Sequence, residues 1–246
     1  MNAVFLTSKI DLYCKDEEGN KIPKQFTNIN QLLYNFKKYI KRYENFLYVA
    51  SVEDMPEVTD IYSKTTIDSF KLTLPFKNYY VLDGRNKEKT KELIETADFI
   101  LLSGGHVPSQ NKFFNNIGLR EIIKNTNAVI CGISAGSMSC ADMIYCPPEL
   151  EGESLDPKFE KYLKGLALTD INIMPHYNTL QSDVLDDKNV IKEIILPDSF
   201  KTKMLALDDG SYILIDGNIT HIFGSAYSII NGKIEQINEN EQILEL

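Results

Sequence analysis

No apolar run in the 246-residue chain approaches the ~18 residues that a bilayer-spanning helix requires. The first five residues are too short an apolar stretch for a signal h-region and have no basic flank before them, so the expected location is cytoplasmic. Positive charge is scarce: 26 Lys and Arg stand against 35 Asp and Glu, for a net charge of −9 and a pI near 4.9. The acidic residues are spread along the chain rather than massed in a tail, which argues against nucleic acid or an anionic membrane surface as partners. Cysteine is limited to Cys14, Cys131, Cys140 and Cys146. They form no C-x-x-C pair or other metal-ligand spacing, and two fall in apolar surroundings, so they read as free buried thiols rather than disulfides or a zinc site. No metal or cofactor is expected. Internal repeats and low-complexity tracts are also missing. With 43% hydrophobic residues, the length fits one large α/β domain or two small ones, and the reading is a single domain over residues 1–246.

What is present is an alternation of β and α patterns. Short apolar strands are expected at residues 3–7, 45–51, 79–82 and 98–103. Helices are expected at 29–43, with Asn28 as cap and Leu32, Leu33, Phe36 and Ile40 on one face, and at 60–72, 86–96 and 110–125. Such alternation is the signature of a parallel sheet wound with helices. From residue 203 onward the rhythm changes to short β pieces at 205–208, 211–215, 219–223, 228–230 and 234–237. Turns at Asp209-Gly210, Asp216-Gly217-Asn218 and Asn231-Gly232 separate them, and the last two are hairpin signals, so antiparallel strands are expected near the end of the chain.

The stretch A-V-I-C-G-I-S-A-G-S, residues 128–137, organises the rest. An apolar run of buried-strand type leads into Gly132-Ile133-Ser134-Ala135-Gly136, which matches the G-x-S-x-G nucleophile elbow. The elbow is a tight strand-to-helix turn that needs small neighbours, and Gly132, Ala135 and Gly136 supply them. Ser134 would project from the carboxyl end of the strand, with the Ala135 N–H facing any oxyanion formed beside it. The pentapeptide by itself also fits a plain Gly/Ser/Ala turn.

One strand earlier, Gly104 and Gly105 follow the apolar run at 98–103. Glycines there let a backbone N–H approach a ligand unobstructed, so Gly105 is the candidate second oxyanion donor. His106 reads either as a substrate contact or as a loop histidine. After the elbow, a helix is expected over residues 135–144, followed by an acidic, proline-punctuated surface loop over 145–164. A strand at 171–174 then runs into Pro175-His176-Tyr177-Asn178, and His176 is the only histidine just past a predicted core strand downstream of the elbow. A further helical segment is expected at 189–196. His221 sits within a strand pattern and reads as structural.

Four pieces in order, L-L-S-G-G-H at 101–106, G-I-S-A-G-S at 132–137, M-P-H-Y at 174–177 and L-D-D-G-S-Y-I-L-I-D-G at 207–217, resemble the serine peptidases that include dipeptidase E and cyanophycinase. The resemblance implies a three-layer α/β sandwich with a mostly parallel sheet, flavodoxin-like and similar to class I glutamine amidotransferases. It implies Ser134 as nucleophile, His176 as general base, and a triad acid from the loop after the elbow helix. Glu149 is the nearest match by spacing, with Glu151, Glu153 and Asp142 as alternatives. A serine hydroxyl is a weak nucleophile until a base takes its proton, and the imidazole must be held in the correct tautomer by a carboxylate. Tyr177 is a further candidate substrate contact.

The loop differs from the G-G-G-N typical of the family's aspartyl dipeptidases, reading G-G-H-V. In Q-S-D-V-L-D-D-K-N, residues 181–189, Lys188 is the only cation, so the resemblance carries no Asp-X preference. Lys188 or Lys192 is left to meet a substrate carboxylate, as a point charge without arginine's fork. The expected activity is serine-type hydrolysis of small peptides through an acyl-enzyme, with a small peptide as partner and a homodimer left open. The alternative is a catalytically silent binding protein that keeps an amidotransferase-like pocket for a small molecule or peptide. A glutaminase would need cysteine where Ser134 stands.

Overall fold

The computed structural model describes residues 3–240 and 242–246. Five strands run parallel at its centre: Val4–Thr7, Asn45–Val49, Asn78–Leu82, Phe99–Leu102 and Val129–Ile133. Numbered along the chain, they lie in the order 3-2-4-5-1. Beyond the first strand, Tyr212–Asp216, Ile219–Phe223 and Ile243–Glu245 extend the sheet antiparallel to eight strands. The mostly parallel, flavodoxin-like sheet and the late antiparallel strands are therefore as expected.

Four of the parallel strands are short apolar runs because both faces are covered, whereas Asn78–Leu82 at the edge is partly exposed. Helices Leu32–Tyr39 and Pro56–Thr73 bring Phe36 and Phe70 onto Phe5, Phe46 and Phe99, with ring centroids 4.8–5.5 Å apart for the pairs Phe5–Phe36, Phe36–Phe99, Phe46–Phe70 and Phe70–Phe99. Register sets Phe46 opposite Phe99, so one stripe of rings crosses the sheet. The chain winds outward through the Asn45 and Asn78 strands, then returns through the Phe99 and Val129 strands. Its direction reverses between Asn45–Val49 and Phe99–Leu102, the kind of switch point where a crevice opens at the carboxyl ends of the strands.

A second sheet of four strands packs Ile173–Met174 parallel to Met204–Leu207, followed antiparallel by Ala226–Ile230 and Lys233–Asn238. Among the described residues no helix is long and apolar enough to cross a membrane.

Several elements differ from expectation. The helix expected at 29–43 is Leu32–Tyr39, because Asn30 and Gln31 take left-handed backbone before it and Ile40 is extended after it. That expected at 110–125 is broken at Gly118, whose φ of 63° separates Val107–Asn116 from Leu119–Ile123. The elbow helix is only Ala135–Met138; the chain then forms Met143–Tyr145, which pairs with Tyr162–Lys164. The turn at residues 16–20 closes an unexpected hairpin, Tyr13–Lys15 with Lys21–Pro23. It exposes Cys14, whereas Cys131, Cys140 and Cys146 are buried; all four are free.

Candidate active site

The elbow's small residues are demanded by crowding. A Cβ on Gly136 would lie 2.1 Å from the Leu102 carbonyl oxygen, and one on Gly132 would lie 2.5 Å from the Ser137 nitrogen. Ser134 takes φ 52° and ψ −115°, a backbone conformation that an L-residue holds only when its surroundings enforce it. Two such constraints are visible: the Ser134 N–H donates to Thr7 O at 3.0 Å, and Ser134 O accepts from Ser137 and Met138 N–H.

Sheet register assembles the remaining groups. Leu6 pairs with Gly132 and Thr7 with Ile133, so Ser8 follows level with Ser134. Leu102 pairs with Gly132, which brings Gly104 beside Ser134; a Cβ on Gly104 would stand 3.5 Å from that of Ser134. In the second sheet Met174 pairs with Ala206, so the residues two further on, His176 and Asp208, leave side by side and Asp209 comes next. The Ser134 hydroxyl donates to His176 Nε2 at 3.0 Å, and His176 Nδ1 donates to Asp209 Oδ1 at 2.6 Å in the tautomer that leaves Nε2 free to accept.

Asp209 is held in turn. Lys9 Nζ reaches its Oδ2 at 3.1 Å and the Ser8 hydroxyl its Oδ1 at 3.3 Å, while Ser8 Oγ also accepts the His176 N–H at 2.8 Å. Burial pulls the Asp209 carboxyl upward, but the hydrogen bonds from His176 and Lys9 outweigh it and hold the group below its ordinary value. The neighbouring Asp208 is raised, by burial first, although the Tyr227 hydroxyl donates to it. His176 itself sits in left-handed backbone, φ 59°.

A cleft of about 520 Å³ opens in front of Ser134 at the reversal point of the sheet. Ser51 and Val52 line it from one strand end, Ser103 to His106 from the other, Met55 from just before helix Pro56–Thr73, and Val58 and Tyr62 from that helix. Gly105 faces Ser51 so closely that a Cβ would meet its Oγ at 2.5 Å. Among the described residues the N–H groups of Gly105 and Ala135 donate to no backbone acceptor, which leaves both available to a ligand at the elbow.

Residues 23–223 match the model of peptidase family S51. The chain belongs to peptidase family S51. As a member it is a serine peptidase. Two solved structures share the S51 chain's fold. A peptidase from an acI-B1 Actinobacterium matches with TM-score 0.70 at 13% identity, over 100% of this chain and 97% of the other. A protein assigned to peptidase E from Listeria monocytogenes EGD-e matches with TM-score 0.58 at 15% identity, over 97% and 100%. No curated protein matches.

Six side chains of this S51 chain lie elsewhere than the sequence placed them. Glu149 does not meet His176, because Asp209 occupies the Nδ1 position; Glu149 is exposed, its N–H held by Glu153 Oε2 at 2.8 Å. Nor do the alternatives reach it: Glu153 pairs with His106 Nε2 at 2.9 Å, Asp142 pairs with Arg120, and Glu151 is exposed. Lys188 is outside the cleft, its ammonium bound to Ser154 O at 3.1 Å and Oγ at 3.3 Å. Tyr177 is buried against Tyr227, ring centroids 4.3 Å apart, and does not line the cleft. His106 does line it, between Ser109 Oγ and Glu153. His221 lies in strand Ile219–Phe223 beside Glu245, remote in the sheet from the elbow strand.

The sequence reasoning missed Ser8, Lys9 and Asp209. Asp209 was legible in part: it stands inside a quoted family-like stretch, but D-D-G also spells a turn. The turn is real, with Ser211 N–H donating to Asp208 O and Gly210 at φ 87°, and it is the turn that aims Asp209.

Proposed function

We propose that the chain hydrolyses the amide bond of small peptides through an acyl-enzyme on Ser134, with His176 as base and Asp209 as the acid that orients it. The observation that carries this reading is the unbroken chain of contacts from Ser134 Oγ to His176 at 3.0 Å and from His176 to Asp209 at 2.6 Å. In the acylation step Ser134 Oγ attacks the carbonyl carbon as its proton passes to His176 Nε2, and the resulting imidazolium is stabilised by the Asp209 carboxylate. The N–H groups of Gly105 and Ala135 take the oxyanion. Collapse expels the amine, which leaves with the proton from His176. Water then attacks the acyl carbon, gives its proton to His176, and Ser134 is restored as the acid departs.

A catalytically silent binding protein needs none of these contacts, and no observation favours that alternative. Removal of the Ser134 hydroxyl is expected to abolish turnover of a dipeptide library while leaving the fold intact. Hydrolysis that persists in Ser134→Ala at the wild-type rate overturns the proposal.

A further inference from the structure

In a chain of net charge −9, the wall of the cleft in front of Ser134 carries no carboxylate among the described residues. Its lysines are Lys9 and Lys21, and His106 lines it too. Lys9 is spent on Asp209, and His106 is engaged by Ser109 and Glu153. Lys21 differs: its ammonium stands 4.6 Å from the centroid of the Tyr13 ring and 4.2 Å from that of Tyr62, and no acidic side chain among the described residues pairs with it. Two ring faces hold a cation in place without cancelling its charge. A fixed, unneutralised ammonium on a largely apolar wall focuses field on whatever anion enters.

We propose that Lys21, between Tyr13 and Tyr62, is the subsite where the cleft takes a carboxylate of the peptide substrate. The support beneath it is firm. Tyr13 pairs with Pro23 across the hairpin, so Lys21, two residues from Pro23, emerges on the same face as Tyr13. The exit of the hairpin is tied to the helix that carries Tyr62: Ser69 Oγ donates to Lys24 O at 2.6 Å, and Gln25 Nε2 to Leu72 O at 2.8 Å. Tyr13 and Lys21 precede residues 23–223, so the cation and one of its two rings lie outside the stretch that matches the family, while Tyr62 lies within it. The anionic group is either the C-terminal carboxylate of a short peptide or an acidic side chain within it.

The subsite rests on the peptidase reading but is measured apart from it, by binding to Ser134→Ala protein, which holds substrate without turnover. Members of a dipeptide library are titrated calorimetrically as C-terminal acids and as amides, and with Asp or Asn side chains. Loss of the recognised carboxylate is expected to weaken binding about tenfold, the scale of one hydrogen bond to a charged group. Whichever substitution, amide or Asn, produces that loss names the source of the carboxylate. Adding Lys21→Met reduces the difference to less than about twofold, while Lys21→Arg retains it, with thermal melts confirming that both fold; Lys21→Gln replaces Lys21→Met if the latter does not. Equal binding of acid and neutral forms, full discrimination in the charge-free variant, or binding of no library member overturns the proposal. Turnover in wild type, lost with Ser134→Ala, tests the peptidase reading independently of all three.

Discussion

Asp209→Asn isolates the assignment of the triad acid, because asparagine keeps the shape of the side chain and removes only its charge and one acceptor. In the native site the carboxylate accepts from His176 Nδ1 at 2.6 Å and is itself held by Ser8 at 3.3 Å and Lys9 at 3.1 Å. The Lys9 ammonium can only donate, so it holds the carbonyl oxygen of an asparagine at the Oδ2 position and leaves the NH2 at the Oδ1 position, against His176 Nδ1 and the Ser8 hydroxyl, which can turn to accept. Nδ1 must then accept, the ring proton moves to Nε2, and the atom 3.0 Å from Ser134 Oγ no longer takes the serine proton. Loss of the correct tautomer and of imidazolium stabilisation together corresponds to about 10³–10⁴ in kcat/KM, or about 4–5.5 kcal/mol of transition-state stabilisation. The assay is hydrolysis of the best library dipeptide, run beside the rate of fluorophosphonate labelling. Glu149→Gln, the substitution that spacing alone would have chosen, is expected to stay within about twofold. An Asp209→Asn enzyme within tenfold of wild type, or a larger loss in Glu149→Gln, refutes the reasoning.

The lowered carboxyl of Asp209 also makes a pH signature. A folded value below the unfolded one adds stability above the ordinary carboxylate range, and this is lost as pH falls through the folded value, below 3.8. The melting temperatures of wild type and Asp209→Asn should therefore differ most above about pH 5 and draw together as pH falls through the carboxylate range; a gap that stays constant as pH falls contradicts the account. Gly136→Ala drives a methyl into the Leu102 carbonyl, 2.1 Å from the built Cβ, and is expected to cost about 3 kcal/mol in urea unfolding or to prevent folding; a variant as stable as wild type would show that the elbow can relax. Native protein should alkylate at Cys14 alone. Burial raises the thiols of Cys131, Cys140 and Cys146, and mass spectrometry after iodoacetamide counts the adducts.

The sheet was legible in the sequence because four of its five parallel strands are buried apolar runs, Asn78–Leu82 at the edge being partly exposed, and the elbow because Gly132 and Gly136 have no room for another residue. His176 was legible because it follows a core strand directly. Helix ends were read less well, since Asn30, Gln31 and Gly118 break helical periodicity through backbone conformation that composition does not display. Asp209 escaped for a different reason. Its contact with His176 depends on pairing between Ile173–Met174 and Met204–Leu207, a lateral register that no local spacing encodes, whereas Glu149 had the right distance along the chain and the wrong place in space. Lys188 failed likewise: a lone cation close in sequence to the histidine is bound to Ser154, while Lys21, distant in sequence, reaches the cleft through an unforeseen hairpin.

The central claim is that the hydroxyl of Ser134 is activated by the imidazole beside it. Treatment of the folded wild-type protein with a fluorophosphonate, followed by peptide mapping, measures this directly. The account predicts a single adduct on Ser134, absent from Ser134→Ala and strongly slowed in Asp209→Asn; folded wild-type protein that takes no label, or takes it at another residue, contradicts it.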